Sequence, residues 1–196
     1  MKKFILCLLL AASTLTLATA SGKNTYDLRC EGMTAPLGID SNNPHFSWKN
    51  DYIQETYRIQ VASSQDALLS GSADLWDSGT VRSDESVMVA YSGKELLPRQ
   101  LCWWRVSVNG GPWSEPQRFS IGIIGDDRMD GEYVGALGGE DFHSPIVYST
   151  FKCADAQKTT FLHVNSIGYH EAYVNGQKVS EAVLAPAVSQ LERRSL

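Results

Sequence analysis

The chain has 196 residues, with 17 Lys+Arg against 22 Asp+Glu and a net charge of −5. That acidic balance leaves no basic face for a phosphate backbone and disfavours nucleic-acid binding. Hydrophobic residues at 43% and charged residues at 20% argue against global disorder and supply the core of one or two domains; five Trp and eight Tyr add an aromatic-rich, all-β character.

The chain opens with Lys2 and Lys3, then an apolar run from Phe4 to Leu10 that continues through Ala11, Leu15 and Leu17. Ala18-Thr19-Ala20 supplies a small-residue cleavage pattern, with Ser21 as the mature start. These are the three parts of a secretory signal, so residues 1–20 are expected to be a cleaved leader and the protein secreted or periplasmic. As a membrane anchor the run is short and is broken by Ser13, Thr14 and Thr16. Cys7 lies inside the run rather than after it, which argues against a lipoprotein. No later segment is long and apolar enough for a transmembrane helix. Three cysteines remain, Cys30, Cys102 and Cys153. An odd number cannot all pair within one chain. A Cys30–Cys102 bridge is conceivable in an oxidising compartment; the alternative is that they are small buried hydrophobes. No Cys or His spacing suggests zinc.

Past the leader the chain is rich in period-two alternation. Tyr57, Ile59 and Val61 alternate with Arg58 and Gln60, and Val87, Val89 and Tyr91 with Met88 and Ala90. Trp104, Val106 and Val108 alternate with Trp103, Arg105 and Ser107, and Phe119 and Ile121 follow the same rule. Asn42-Asn43-Pro44, Ser78-Gly79, Ser92-Gly93 and Asn109-Gly110-Gly111-Pro112 punctuate these runs, the pattern of a β-sandwich. One short helix is expected from Ser64 to Leu69, with Ser64 as its cap and Asp66 in its first turn. Glycines and acids crowd residues 123–144, which read as a linker with one strand at Tyr133-Val134. Alternation resumes in residues 146–151 and 160–165; residues 169–174 lead into Asn175-Gly176, a two-residue hairpin signal, and residues 177–179 are the return strand. Three or four strands leave this second unit, 145–196, an incomplete sandwich with open edges.

Chemistry-bearing motifs are sparse. Asp126, Asp130 and Gly131 fit the start of a calcium loop, but Arg128 stands at a ligand position and Leu137 where the closing Glu belongs. Gly135, Gly138 and Gly139 make no dinucleotide turn. His163 and His170 do not have a metal spacing, and no nucleophile elbow is present. No catalytic residue, metal site or cofactor is assigned. Tyr169, Glu171 and Tyr173, with Asn175 beyond them, form the one candidate carbohydrate-binding face. Aromatic rings stack on the apolar faces of sugars, and a carboxylate accepts their hydroxyl hydrogen bonds. Ordinary strand alternation explains the same residues without a ligand. A glycosidase needs two carboxylates held across a cleft, and no region looks built for such a pair.

Several motifs in fixed order resemble the opening of bacterial α-L-rhamnosidases. They are Asp27-Leu28-Arg29-Cys30-Glu31, Pro36-Leu37-Gly38-Ile39-Asp40, Pro44-His45-Phe46-Ser47-Trp48, the run Tyr57 to Ser64, and Leu75-Trp76-Asp77-Ser78-Gly79. Trp104-Arg105-Val106 and Trp113-Ser114-Glu115-Pro116 resemble the last strands of that family's fibronectin-type-III-like sandwich. The stretch Gly168 to Gly176 and Val183-Leu184-Ala185-Pro186 are similar to its next module. The resemblance implies an all-β fold: a fibronectin-III-like β-sandwich over residues 24–122, then a truncated jelly-roll or galactose-binding-like accessory domain over 145–196. It implies a glycoside hydrolase parent acting on rhamnose-containing glycans, whose helical-barrel catalytic domain is absent from this sequence. After Pro186 the chain reads Ala187-Val188-Ser189-Gln190-Leu191 in place of the family's aromatic segment. A free-standing carbohydrate-binding or adhesive module, and a degenerate truncated product, are the competing readings.

Overall fold

The computed structural model describes residues 24–135, 146–152, 159–181, 183 and 185, and the chain divides between Arg128 and Met129 into two units. The expected leader at 1–20, Cys153 and the segment 186–191 lie outside the described residues.

In the first unit the elements are β1 (Thr25–Cys30), β2 (His45–Asn50), β3 (Thr56–Ala62), helix α1 (Gln65–Leu69), β4 (Trp76–Asp77), β5 (Val81–Arg82), β6 (Val89–Ala90), β7 (Leu101–Val108) and β8 (Gln117–Ser120). They form two antiparallel sheets. One has the order β1-β2-β6; the other has the order β4-β3-β7-β8, with β5 also paired to β3. This is the β-sandwich that the alternation predicts.

The register shows why these residues make strands. Tyr57 sits opposite Val108, Ile59 opposite Val106 and Val61 opposite Trp104, so period two sends all six to one face. That face meets Phe46 and Trp48 of β2. Phe46 is fully buried, with its ring centroid 4.3 Å from that of Trp104 and 5.6 Å from that of Phe119. Trp48 meets Tyr57 edge-on at 5.3 Å. Such ring pairs add about 0.5–1.5 kcal/mol each to the burial of their area.

The opposite face of β3 and β7 is covered as well. Ala62 and Leu68 are buried, yet neither belongs to the inter-sheet cluster, because α1 lies against β3 and β7 on their outer side. Its cap is the expected one: the Ser64 hydroxyl accepts from the Ala67 amide at 3.1 Å, with Asp66 in the first turn. At the other end Trp113 folds back on Ser107 in an isolated bridge and lays its ring 4.4 Å from the Arg105 guanidinium. Arg105 and Gln60 are thereby buried at positions where alternation predicts exposure.

The free edge of β8 is closed by the chain itself. Ser120 donates its amide to the Pro36 carbonyl, Ile39 donates to the Ser120 carbonyl at 2.9 Å, and Gly122 donates to the Ile39 carbonyl at 2.8 Å. This strap protects an edge that could otherwise pair with another chain. It requires glycine at position 122, where a Cβ would stand 2.8 Å from the Gly38 carbonyl oxygen. Residues 123–128 follow the strap. Ile124 packs on the core, and Arg99 grips both Asp127 carboxylate oxygens, at 2.8 and 3.2 Å.

Val87 departs from the expected alternation. It is exposed, because the strand begins only at Val89; just before it the Trp48 amide donates to the Ser86 carbonyl at 2.9 Å.

In the second unit the described residues form one ladder, the hairpin of β9 (Tyr173–Val174) and β10 (Gln177–Lys178). The strands expected at 133–134, 146–151 and 160–165 are not formed there. Ile146 and Tyr148 are 92% and 88% exposed. Alternation supplies an apolar face, but a strand exists only where a neighbour takes up its amides and carbonyls. Among the described residues these segments join no ladder, and no helix is long and apolar enough to cross a membrane.

Candidate functional site

The Asn175-Gly176 turn organises the candidate sugar-binding face. Both residues have positive φ, 51° and 79°, which is what a two-residue hairpin of this hand requires. The turn sets Val174 opposite Gln177 and Tyr173 opposite Lys178. Glu171, two residues before Tyr173, shares its side of the extended chain. The Tyr173 hydroxyl donates to Glu171 Oε2 at 2.8 Å, and Lys178 Nζ donates to Oε1 at 2.5 Å. The ammonium of Lys178 and then the Tyr173 hydroxyl hold the Glu171 carboxyl below the usual carboxylate range. The same contacts raise Tyr173 and Lys178.

The structure therefore brings together Glu171 and Tyr173 of the four predicted site residues. Asn175 forms the turn, beside an open depression lined by Val174, Asn175, Gln177, Lys178 and Val179. Tyr169 precedes the ladder and exposes 55% of its surface, much as Tyr173 exposes 56%. Lys178 is the residue that sequence reading missed. The signal for it was present, since an Asn-Gly two-residue turn fixes which residue faces Tyr173. His170 Nδ1 lies 2.7 Å from the Ser166 hydroxyl, and among the described residues no cluster of His, Cys, Asp and Glu could hold a metal.

Several charged side chains of the first unit pair with one another. Arg58 makes a fork to Asp77 at 2.8 and 2.6 Å, Gln60 donates to the same carboxylate at 2.9 Å, and Arg105 donates twice to the Gln60 carbonyl oxygen. The Arg58 hydrogen bonds pull Asp77 far below the usual range. Asp27 moves down beside Lys49 and Arg29. Asp74 moves down too: its partial burial works the other way, but the hydrogen bonds from Ser63 outweigh it. Every carboxyl that the structure perturbs among the described residues thus becomes a stronger acid, the direction of ion pairing. A general acid needs the opposite shift.

An immunoglobulin-like sandwich, followed by a hairpin carrying exposed aromatics, defines an all-β region. Comparison with known proteins gives that class a family. Residues 25–125 match the family model of the Rha78A-like, N-terminal immunoglobulin domain, and residues 155–196 match that of the alpha-L-rhamnosidase N-terminal domain. The chain belongs to the first of these families. It is 30% identical over 184 residues to an alpha-L-rhamnosidase of Formosa agariphila, covering 84% of this chain and 20% of that protein. It is similar in structure to an alpha-L-rhamnosidase of Streptomyces avermitilis complexed with L-rhamnose (33% identity, TM-score 0.52), covering 58% of this chain and 12% of that one. The corresponding figures for the alpha-L-rhamnosidase from Dictyoglumus thermophilum are 35%, 0.50, 54% and 13%. The chain therefore spans about a fifth of the length of the curated relatives it matches.

Proposed function

We propose that this chain is the N-terminal, non-catalytic portion of a secreted or periplasmic α-L-rhamnosidase, a glycoside hydrolase that releases terminal α-L-rhamnose from plant glycans. The observation that carries this reading is the occurrence, in chain order, of two domains described as N-terminal in that family. The pairing of Asp27, Asp77 and Asp127 with basic side chains supports it, since it leaves these carboxylates suited to holding structure rather than to moving protons. The leader-like residues 1–20 support export. On this reading residues 24–122 are a scaffold, residues 123–144 lead away from it, and residues 145–196 begin an accessory domain.

The hairpin face is the proposed glycan contact. Tyr169 and Tyr173 supply exposed rings, Asn175 supplies an amide, and each Glu171 oxygen keeps a lone pair beyond the bonds from Tyr173 and Lys178. The assay is hydrolysis of an aryl α-L-rhamnoside by this chain and by a polypeptide extended through the downstream reading frame. Turnover is expected from the extended protein only; turnover by this chain alone overturns the reading. Calorimetric titration with rhamnose and rhamnogalacturonan oligosaccharides tests the hairpin face separately. Heat that Glu171→Gln and Tyr173→Ala abolish supports it, and heat that both variants retain refutes it.

A further inference from the structure

Cys30 and Cys102 are free and completely enclosed, on strands of opposite sheets, and belong to one core cluster. Their neighbours place them in one layer of that core. Cys30 sits opposite Phe46 across the β1–β2 ladder, and Cys102 sits opposite Phe119 across the β7–β8 ladder. Those two rings touch edge to face, with centroids 5.6 Å apart. Strands β1 and β7 themselves approach each other across the sandwich. We propose that Cys30 and Cys102 form a cross-sheet disulfide that ties the N-terminal strand β1 to the central strand β7 when the chain folds in an oxidising compartment.

Two further observations agree. Burial pushes both thiols up, Cys102 to about 12, and Cys102 is also among the groups that raise Cys30. Enclosed, weakly acidic thiols are poor nucleophiles, so the bond forms during folding, before the core closes over them. The donor is a small-molecule or protein disulfide. One cysteine thiolate attacks a donor sulfur to give a mixed disulfide and one donor thiol. The second cysteine thiolate displaces the other donor sulfur, closing the Cys30–Cys102 bond. Two protons leave the cysteines, and the donor gains two electrons and ends as two thiols. The third mature cysteine, Cys153, is separate in sequence and is removed from the test by substitution.

The experiment takes the full chain carrying Cys7→Ser and Cys153→Ser, refolded from reduced denaturant with oxidised and reduced glutathione. Thiols are then alkylated in denaturant without reductant, and the protein is read by intact mass and by peptide mapping. Complete loss of alkylation at both positions, restored by prior reduction, and a peptide joining Cys30 to Cys102 are expected. A further Cys30→Ala change should leave Cys102 fully alkylated. Two alkylated thiols after oxidative refolding overturn the proposal, as does recovery of the two cysteines only in glutathione adducts or cross-linked dimers.

Discussion

Residues 56–62 alternate apolar and polar side chains, and residues 146–151 are rich in the same β-branched and aromatic types, yet Ile59 and Val61 are wholly buried while Ile146 and Tyr148 are almost wholly exposed. Strand β3 has β7 on one side and β4 and β5 on the other, and its apolar face meets Phe46 and Trp48. The later segment has an equal supply of side chains and no ladder among the described residues. Alternation is thus a condition for a strand that becomes sufficient only when a neighbour accepts its hydrogen bonds and an opposing layer covers its face. Within this one chain, the first unit satisfies both requirements; among the described residues of the second, the hairpin at Asn175-Gly176 has the ladder, and its β9 residues stay exposed.

Substitution sharpens the contrast. Phe46→Ala in the first unit removes a ring that touches Trp104 and Phe119 and is expected to cost about 3–5 kcal/mol, read as a lowered urea midpoint. Tyr148→Ala in the second unit is expected to change stability by less than about 0.5 kcal/mol. Equal effects from the two changes would break the comparison. Gly122→Ala forces a Cβ against the Gly38 carbonyl and is expected to cost about 1–3 kcal/mol. If Gly122→Ala is silent in thermal melts, the strap along β8 contributes no rigidity. Ser64→Ala, which removes the cap of α1, is expected to cost about 1 kcal/mol.

The smallest effect concerns pH. Asp77 has a lower folded-state than unfolded-state pKa, because Arg58 hydrogen-bonds its charged form. Its contribution is therefore fully present above the ordinary carboxylate value of about 4 and is lost as pH falls toward the folded value. The pair is partly exposed, so that contribution is less than about 1 kcal/mol. Asp77→Asn should reduce the loss of stability between neutral and acid pH in urea titrations. An unchanged pH dependence would show that the Arg58 fork is energetically idle.

The first unit was largely readable from sequence because its cues are local. The Tyr57-Ile59-Val61 alternation and the Ser64 cap each specify a conformation within a few residues, as the Asn175-Gly176 turn does in the second unit. Burial of Gln60 and Arg105 was not readable, since it depends on Trp113 returning from the β7–β8 connection and on α1 lying outside the sheet. Lys178 at the candidate site was readable in principle, through the pairing that a two-residue turn imposes. The strands expected at 146–151 and 160–165 failed because pairing is non-local: side-chain pattern records which face is apolar and carries no information about what lies against it.

Native-state hydrogen exchange followed by mass spectrometry tests the contrast most directly. The account predicts that amides of β3 and β7 exchange only with global unfolding of the first unit, whereas amides of residues 146–152 exchange at nearly the rate of an unstructured peptide. Slow exchange in residues 146–152, comparable to that of β3, would contradict it.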